Sequence, residues 1–237
     1  MNENEGRKAV VLLSGGLDSA TCLALAVEEF GAENVLALNM YYGQKHDREI
    51  KSARAVAAFY GVPYFEMDMS CTMQYSDCSL LKHSDKEIAH KSYGDQLKEK
   101  GEGGIVDTYV PFRNGLFLSA AAAFALSKGA GTIIYGAHAD DAAGNAYPDC
   151  SEEFADVMGK AIWHGSGKKV VLEAPFIRRT KAEVVKEGLR LGIPYDLTWS
   201  CYEGGTEPCG QCGTCIDRAK AFEANGVSDP LLRKENI

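Results

Sequence analysis

The stretch Val10-Val11-Leu12-Leu13-Ser14-Gly15-Gly16-Leu17-Asp18-Ser19 constrains this chain more than any other. Val10 to Leu13 reads as a short buried strand, Ser-Gly-Gly as a tight turn, and Leu17 to Phe30 as a helix. Paired glycines permit the sharp bend and leave successive backbone N–H groups uncovered. A run of such groups forms a concave anion site. The helix that follows aims its N-terminus, and so partial positive charge, at the same point. Ser14 and Ser19 add hydroxyl donors, and Asp18 adds a carboxylate able to hold a divalent cation. A polyphosphate with its metal matches these groups. A turn whose glycines serve packing alone is the plain alternative, and it leaves Ser14, Asp18 and Ser19 unexplained.

The loop lacks the Gly-Lys-Ser/Thr ending of a Walker A loop. Without that lysine near the outer phosphates, the expected chemistry is loss of pyrophosphate and transfer of AMP. Ser-Gly-Gly-x-Asp-Ser after an apolar strand resembles the pyrophosphate loop of the N-type ATP pyrophosphatases. The resemblance implies that ATP adenylates a substrate oxygen and that a nitrogen or sulfur nucleophile then displaces AMP. It places ATP, with magnesium, on Leu13, Ser14, Gly15, Gly16, Leu17, Asp18, Ser19, Ala20, Thr21, Cys22 and Leu23. Cys22 itself, in apolar company on a helix, reads as core.

Strand and helix patterns alternate through the chain. Strands are expected at Val10–Leu13, Val35–Tyr41, Val62–Met67, Thr132–Tyr135 and Val170–Glu173. Helices are expected at Leu17–Phe30, Asp47–Tyr60, Gly115–Ser127, Glu152–His164, Lys181–Leu191 and Ile216–Glu223, with Gly31 and Gly61 as C-terminal caps and Thr180 with Glu183 as a capping box. Buried faces are expected along Ile50, Ala53, Ala57 and Phe59-Tyr60, along Leu116, Ala120, Ala123 and Phe124, and along Ile216, Ala219 and Phe222. This rhythm implies an α/β fold with a doubly wound, parallel, five-stranded sheet, whose ligands sit at the carboxyl ends of the strands. From Ser70 to Thr108 the periodicity fades, which marks either a mobile lid or a local insertion. Residues 1–195 are expected to form the α/β domain and 196–237 a small helical segment packed on it.

Composition narrows the setting. With 46% hydrophobic and 24% charged residues, the chain has ordinary globular composition. A net charge of −8 argues against a broad nucleic-acid footprint. No apolar run approaches the ~20 residues of a membrane span, and Met1-Asn2-Glu3-Asn4-Glu5 does not read as a signal peptide. The expectation is a cytoplasmic protein acting on small molecules, with no direct nucleic-acid or membrane contact; a homodimer is a possible assembly. In that compartment eight cysteines point to metal or redox chemistry, not disulfides.

Half of those cysteines fall in one run, Cys201, Cys209, Cys212 and Cys215, spaced C-x7-C-x2-C-x2-C. Overlapping C-x2-C steps turn three thiolates toward one point, and Cys201 supplies a fourth. Four sulfurs leave no open position, the pattern of a structural zinc. An iron–sulfur cluster uses the same ligands, and spacing does not exclude it. A redox pair needs neither Cys201 nor Cys215. Cys71 and Cys78 lack partner spacing and read as incidental.

Loop and cysteine knot together resemble the 7-cyano-7-deazaguanine synthases of queuosine biosynthesis. Leu13 to Leu23, Tyr42-Gly43-Gln44-Lys45-His46, Val110-Pro111-Phe112-Arg113-Asn114, Tyr147-Pro148-Asp149-Cys150 and Thr198-Trp199-Ser200-Cys201-Tyr202 carry the resemblance across nearly the whole chain. It implies a ligase that joins 7-carboxy-7-deazaguanine and ammonia, adenylating first the carboxylate and then the amide, with ATP consumed at each step and one structural zinc. In this reading Asp18, Lys181 and Arg113 are catalytic, Arg113 and Lys181 facing the phosphate or the substrate carboxylate. Arg113, Asn114 and Asp149 bind substrate, Asp149 accepting from the guanine-like donors. Gln44 and His46 lie on the nucleotide side. Each has a plainer role open to it: helix capping for Arg113, Asn114 and Asp149, a solvated surface for Lys181 and His46. His138, Asp140 and Asp141 follow the fourth strand and could face the site, but the stretch Asp140 to Ala146 departs from the family pattern, and no role is assigned there. A pyrophosphate-loop enzyme that thiolates or aminates a tRNA base, and a zinc-bearing binding module, are the other readings.

Overall fold

In the computed structural model residues 8–101 and 104–232 are described, so the acidic stretch at Met1 to Glu5, part of the Gly-rich run and the last residues of the 196–237 segment lie outside them. The chain opens with β1 (Ala9–Leu12), α1 (Leu17–Phe30), β2 (Val35–Tyr41), α2 (Arg48–Tyr60) and β3 (Tyr64–Asp68). It continues through α3 (Tyr93–Lys100), α4 (Arg113–Lys128), β4 (Thr132–Ile134), the single turn α5 (Ala139–Ala142), α6 (Glu152–Gly165), β5 (Val171–Glu173), α7 (Lys181–Leu191) and α8 (Gly213–Ala224). The expected sheet is present: five strands, all parallel, in the order β3-β2-β1-β4-β5. Strand order reverses between β1 and β4, and an open α/β sheet forms its ligand crevice at such a point.

Alternation along the strands sorts the core into two layers. Val11, Ala37 and Ile134 face α1, α2, α7 and α8, meeting Leu23, Val56, Val184 and Phe222. Val10, Leu38 and Ile133 face α4 and α6, meeting Leu118, Ala121, Ala125 and Ile162. The central strand β1 is buried on both faces over Ala9–Val11, and β5 at the edge exposes Val171 and Glu173. α7 carries the expected capping box: Thr180 accepts from Glu183 N–H, and Glu183 accepts from Thr180 N–H.

Three expected faces shift. Phe59 is 57% exposed, because α2 buries Ala53, Val56 and Ala57 and turns Phe59 outward, while Tyr60 stays half-buried against the core. α4 buries Leu118, Ala121 and Ala125 while Ala123 is exposed; a run of alanines carries too little contrast to fix the helix rotation. α8 buries Cys215, Arg218 and Phe222 and exposes Ala219, because the cysteine knot sets its phase.

The featureless 70–108 region is a packed insertion. Met73, Cys78, Leu80, Leu81 and Ile88 form a third apolar cluster with Tyr42, Val110, Trp199 and the knot cysteines Cys201, Cys212 and Cys215. Its contact with the body includes an antiparallel bridge between Gln44 and Leu81. No helix among the described residues is long and apolar enough to cross a membrane.

Candidate active site

The Ser-Gly-Gly turn lies where the sequence places it, between β1 and α1. Gly15 has φ +93°, and a Cβ there would sit 2.1 Å from the Glu49 carbonyl oxygen, so α2 presses the turn into shape. Ser14 Oγ accepts from Gly16 N–H at 3.2 Å and lies 3.0 Å from Ser19 Oγ. Asn39 Nδ2 donates to Leu13 O at 2.7 Å, and Trp199 N–H donates to Gly15 O at 2.9 Å, fastening the turn from β2 and from the C-terminal segment. α1 has no side-chain cap, which leaves its first-turn donors directed into the crevice.

Above the turn lies a cavity of about 220 Å³. Of the expected nucleotide stretch, Leu13, Ser14, Gly16, Asp18 and Ser19 line it. Ala20, Cys22 and Leu23 are fully buried in the α1 core layer, and Thr21 hydrogen-bonds Leu17 O and Tyr195. Alternate residues of a helix cannot share one face, so the contact narrows to the turn and the first residues of α1.

At the α1 end, charges are grouped tightly. Lys181 Nζ donates to Asp18 Oδ2 at 2.9 Å, and His138 Nε2 lies 3.3 Å from Asp141 Oδ2, 3.7 Å from Asp18 Oδ1 and 3.4 Å from Lys181 Nζ. Burial alone would raise the Asp18 carboxyl, but Lys181 and His138 more than offset it and hold its pKa below the ordinary value. Burial alone would depress Lys181, but Asp18 and Asp141 hold its pKa above the ordinary lysine value. Asp18 Oδ1 is nevertheless buried without a hydrogen-bond partner. An oxygen left free beside a phosphate cradle suits a hard cation such as magnesium.

The opposite end is aromatic. Arg113, at the start of α4, stacks over Tyr42 at 5.2 Å and Phe117 at 6.0 Å, and among the described residues its one side-chain hydrogen bond is to Tyr42 Oη at 3.4 Å. Its guanidinium therefore faces the cavity with no carboxylate of the described residues bound to it. Tyr93, Tyr147 and Tyr202 bring their hydroxyls together, with Tyr202 Oη 3.0 Å from Tyr93 Oη and 3.3 Å from Tyr147 Oη. Two more polar atoms of cavity residues are buried with no partner: Asn39 Oδ1, on a residue 2% exposed, and Tyr135 Oη, on a residue 4% exposed. Unsatisfied buried atoms are costly, and these three point to a polar ligand.

Asn114 and Asp149 stand differently from expectation. Asp149 Oδ2 accepts from Asn114 N–H at 2.9 Å and caps α4, and Asp149 is absent from the cavity wall. Asn114 lines the cavity, but its Nδ2 donates to Asp149 O and Cys150 Sγ. The pair fixes the α4 N-terminus that carries Arg113. Helix α4 needs this help because its N-cap, Phe112, is held at φ +54° and offers no capping side chain. Gln44 lines the cavity as expected. His46 does not: its ring packs against Gly204, beside the knot.

Sequence reasoning placed His138 and Asp141 where they could face the site but gave them no role, and it missed Tyr93 and Tyr135. Asp141 lies in the stretch without a family pattern, His138 just before it, and Tyr93 in the insertion. Their one signal was place: Tyr135 to Asp141 directly follows a strand end, where an α/β sheet binds ligands.

The four cysteine sulfurs all lie within 4.8 Å of one another. Cys212 N–H and Gln211 N–H point at Cys209 Sγ at 3.3 and 3.4 Å, and Cys209 N–H at Cys201 Sγ at 3.3 Å, donors that favour thiolates. This donor set fits a four-coordinate metal. Arg218 of α8 anchors the same region: it is 3% exposed, pairs with Asp229 at 2.6 and 2.9 Å, and donates to Thr198, Ser200 and Tyr195 O. That network holds Trp199 and Ser200 in the cavity wall.

Sheet order, turn and cavity define a nucleotide-using α/β enzyme with a pyrophosphate loop. Solved structures agree on the fold. U34-tRNA thiolase NcsA from Methanococcus maripaludis, solved with its [4Fe-4S] cluster, superposes with a TM-score of 0.52 at 16% identity, covering 94% of this chain and 68% of that one. NH3-dependent NAD synthetase from Campylobacter jejuni gives 0.51 at 17% identity, covering 94% and 78%. The family model for queuosine biosynthesis protein QueC matches residues 8–226. Relatives named 7-cyano-7-deazaguanine synthase are 42% identical over 229 residues in Archaeoglobus fulgidus, covering 96% of this chain and 91% of the relative, and 40% identical over 232 residues in Oceanobacillus iheyensis, covering 95% and 98%. The chain belongs to the QueC family, the 7-cyano-7-deazaguanine synthases.

Proposed function

We propose that this protein is an ATP-dependent ligase that converts 7-carboxy-7-deazaguanine and ammonia to 7-cyano-7-deazaguanine, acting in the cytoplasm on small molecules. One observation carries the reading beyond family membership: a phosphate cradle and a guanidinium free of any carboxylate, Arg113, share one cavity. The cradle takes the triphosphate on Ser14, Gly16 and Ser19, and Arg113 takes the substrate carboxylate in a forked pair. Asp18, with one carboxylate oxygen free of any hydrogen bond, would hold the magnesium that accompanies ATP and offsets the phosphate charge. Lys181, released from Asp18, turns its ammonium to the phosphates.

The carboxylate oxygen attacks the α-phosphorus, and pyrophosphate leaves. Ammonia then displaces AMP to give the amide. The amide oxygen repeats the attack on a second ATP, and loss of AMP leaves the nitrile. Carboxylate and amide oxygens are poor leaving groups, and adenylation makes them good ones. The protein's part is to align oxygen and phosphorus and to stabilise the developing charge. Tyr93, Tyr147 and Tyr202 bound the ring end and exclude water. Asp149 acts through Asn114 on the position of Arg113, not on the ring.

Zinc is the metal proposed for Cys201, Cys209, Cys212 and Cys215. With four thiolates it has no open position, and it supplies cross-linking, not catalysis. Residues 196–232 thus serve as a metal-braced wall of the cavity rather than a separate machine. The direct test is incubation with ATP, ammonium and 7-carboxy-7-deazaguanine. Mass spectrometry is expected to show the nitrile; an unchanged carboxylate would refute the proposal.

A further inference from the structure

We infer that Glu49 accepts the protons lost by the nitrogen that becomes the nitrile; this rests on the ligase reading above. The cavity is lined by three carboxylates, Asp18, Glu49 and Asp141. Asp18 is paired with Lys181 and Asp141 with His138. Glu49 alone of the three makes no side-chain hydrogen bond or salt bridge among the described residues. Its place follows from the fold. It stands in the first turn of α2, and its own backbone carbonyl is the atom that presses on Gly15. Its backbone therefore lies beside the phosphate loop, and the residue lines the same cavity.

The chemistry requires an acceptor there. When ammonia attacks the acyl adenylate, its lone pair forms the C–N bond, and the C–O bond breaks with its electron pair leaving on AMP. The nitrogen, now cationic, must lose one proton. In the second half the amide oxygen bonds to phosphorus as pyrophosphate leaves, giving an imidate whose NH2 group carries the positive charge. The C–O bond breaks with its pair leaving on AMP, the third C–N bond forms, and nitrogen loses both remaining protons. Each passes to a Glu49 Oε and on to solvent. Asp18, whose carboxyl Lys181 and His138 hold below its ordinary value, is a poorer acceptor; burial raises Asp141 as it raises Glu49, but His138 Nε2 already occupies Asp141 Oδ2 at 3.3 Å. Arg113 from α4, Tyr42 from the end of β2 and Cys201 from the C-terminal segment are the titratable and charged groups coupled to Glu49. Burial raises its carboxyl above the ordinary glutamate value, with Arg113 opposing, in the direction that suits a general base.

Glu49→Gln separates this role from binding. Carboxylate-dependent exchange of labelled pyrophosphate into ATP, which reads adenylation alone, is expected to stay within about three-fold of wild type. Nitrile formation from ammonia is expected to fall about 10²–10³-fold. Hydroxamate formation from hydroxylamine, a weaker base that sheds its proton more readily, is expected to fall far less, and Glu49→Asp is expected to recover part of the nitrile rate. Nitrile formation at the wild-type rate in Glu49→Gln would overturn the inference. So would loss of exchange in step with nitrile formation, which would make Glu49 a binding or folding residue. Wild-type protein that shows no carboxylate-dependent exchange would instead refute the ligase reading itself.

Discussion

Asp18 and Lys181 face each other across the α1–α7 contact with side chains only 21% and 11% exposed, so each charge depends on the other. Asp18→Asn is expected to keep the fold and lower turnover about 10²-fold or more, since it removes charge where phosphate and metal meet; near-normal turnover at saturating magnesium would contradict this. The pair also sets a pH dependence. The Asp18 carboxyl titrates below its ordinary 3.8 in the folded state. Its contribution is thus fully present above that value and is lost as pH falls through the lowered one. Denaturation midpoints followed from pH 7 into this acid range are expected to fall less steeply in Asp18→Asn. Arg113→Lys keeps the charge but loses the fork, and is expected to raise KM for the carboxylate substrate about ten-fold or more while KM for ATP changes little. Residue positions were legible where a motif fixes them: Ser14 and Asp18 line the cavity where the loop motif puts them. They were not legible where long-range contact decides: nothing adjacent to Asp149 shows that its carboxylate caps a helix 35 positions earlier.

At the scale of elements, two junctions carry the site. Gly15→Ala would place a methyl group 2.1 Å from Glu49 O at φ +93°, which requires α2 or the turn to move. A loss of about 2 kcal/mol or more is expected in chemical denaturation, with a matching loss of activity. The knot is the second junction. The segment from Gly204 to Gly210 has few apolar side chains and takes its order from the cysteines, so Cys212→Ser is expected to lose metal by elemental analysis and to melt about 10 °C lower or more. A soluble variant with native melting temperature would contradict the structural role, and iron in the wild-type protein would favour a cluster over zinc. Elements with strong local signals were legible: the β1–α1 turn and the α7 capping box both form as read. The 70–108 insertion was not, because its order comes from packing Leu81 and Ile88 against Tyr42 and the knot, contacts that leave no period in the sequence.

For the whole molecule, the sheet's reversal between β1 and β4 opens one cavity with a phosphate cradle at one end and Arg113 with the tyrosines at the other. The strand–helix alternation made that architecture readable before any coordinates. What it could not show is that the insertion and the C-terminal segment close the same cavity, through Tyr93 on one side and Trp199, Ser200 and Tyr202 on the other. The proposal that one substrate is adenylated twice in this cavity implies a fixed account of products. The decisive measurement is therefore quantification of nucleotides and nitrile together, in a reaction of purified protein with ATP, ammonium and 7-carboxy-7-deazaguanine. The proposal requires AMP and pyrophosphate, with two AMP formed per 7-cyano-7-deazaguanine. ADP and phosphate as the main products, or one AMP per nitrile, would contradict it.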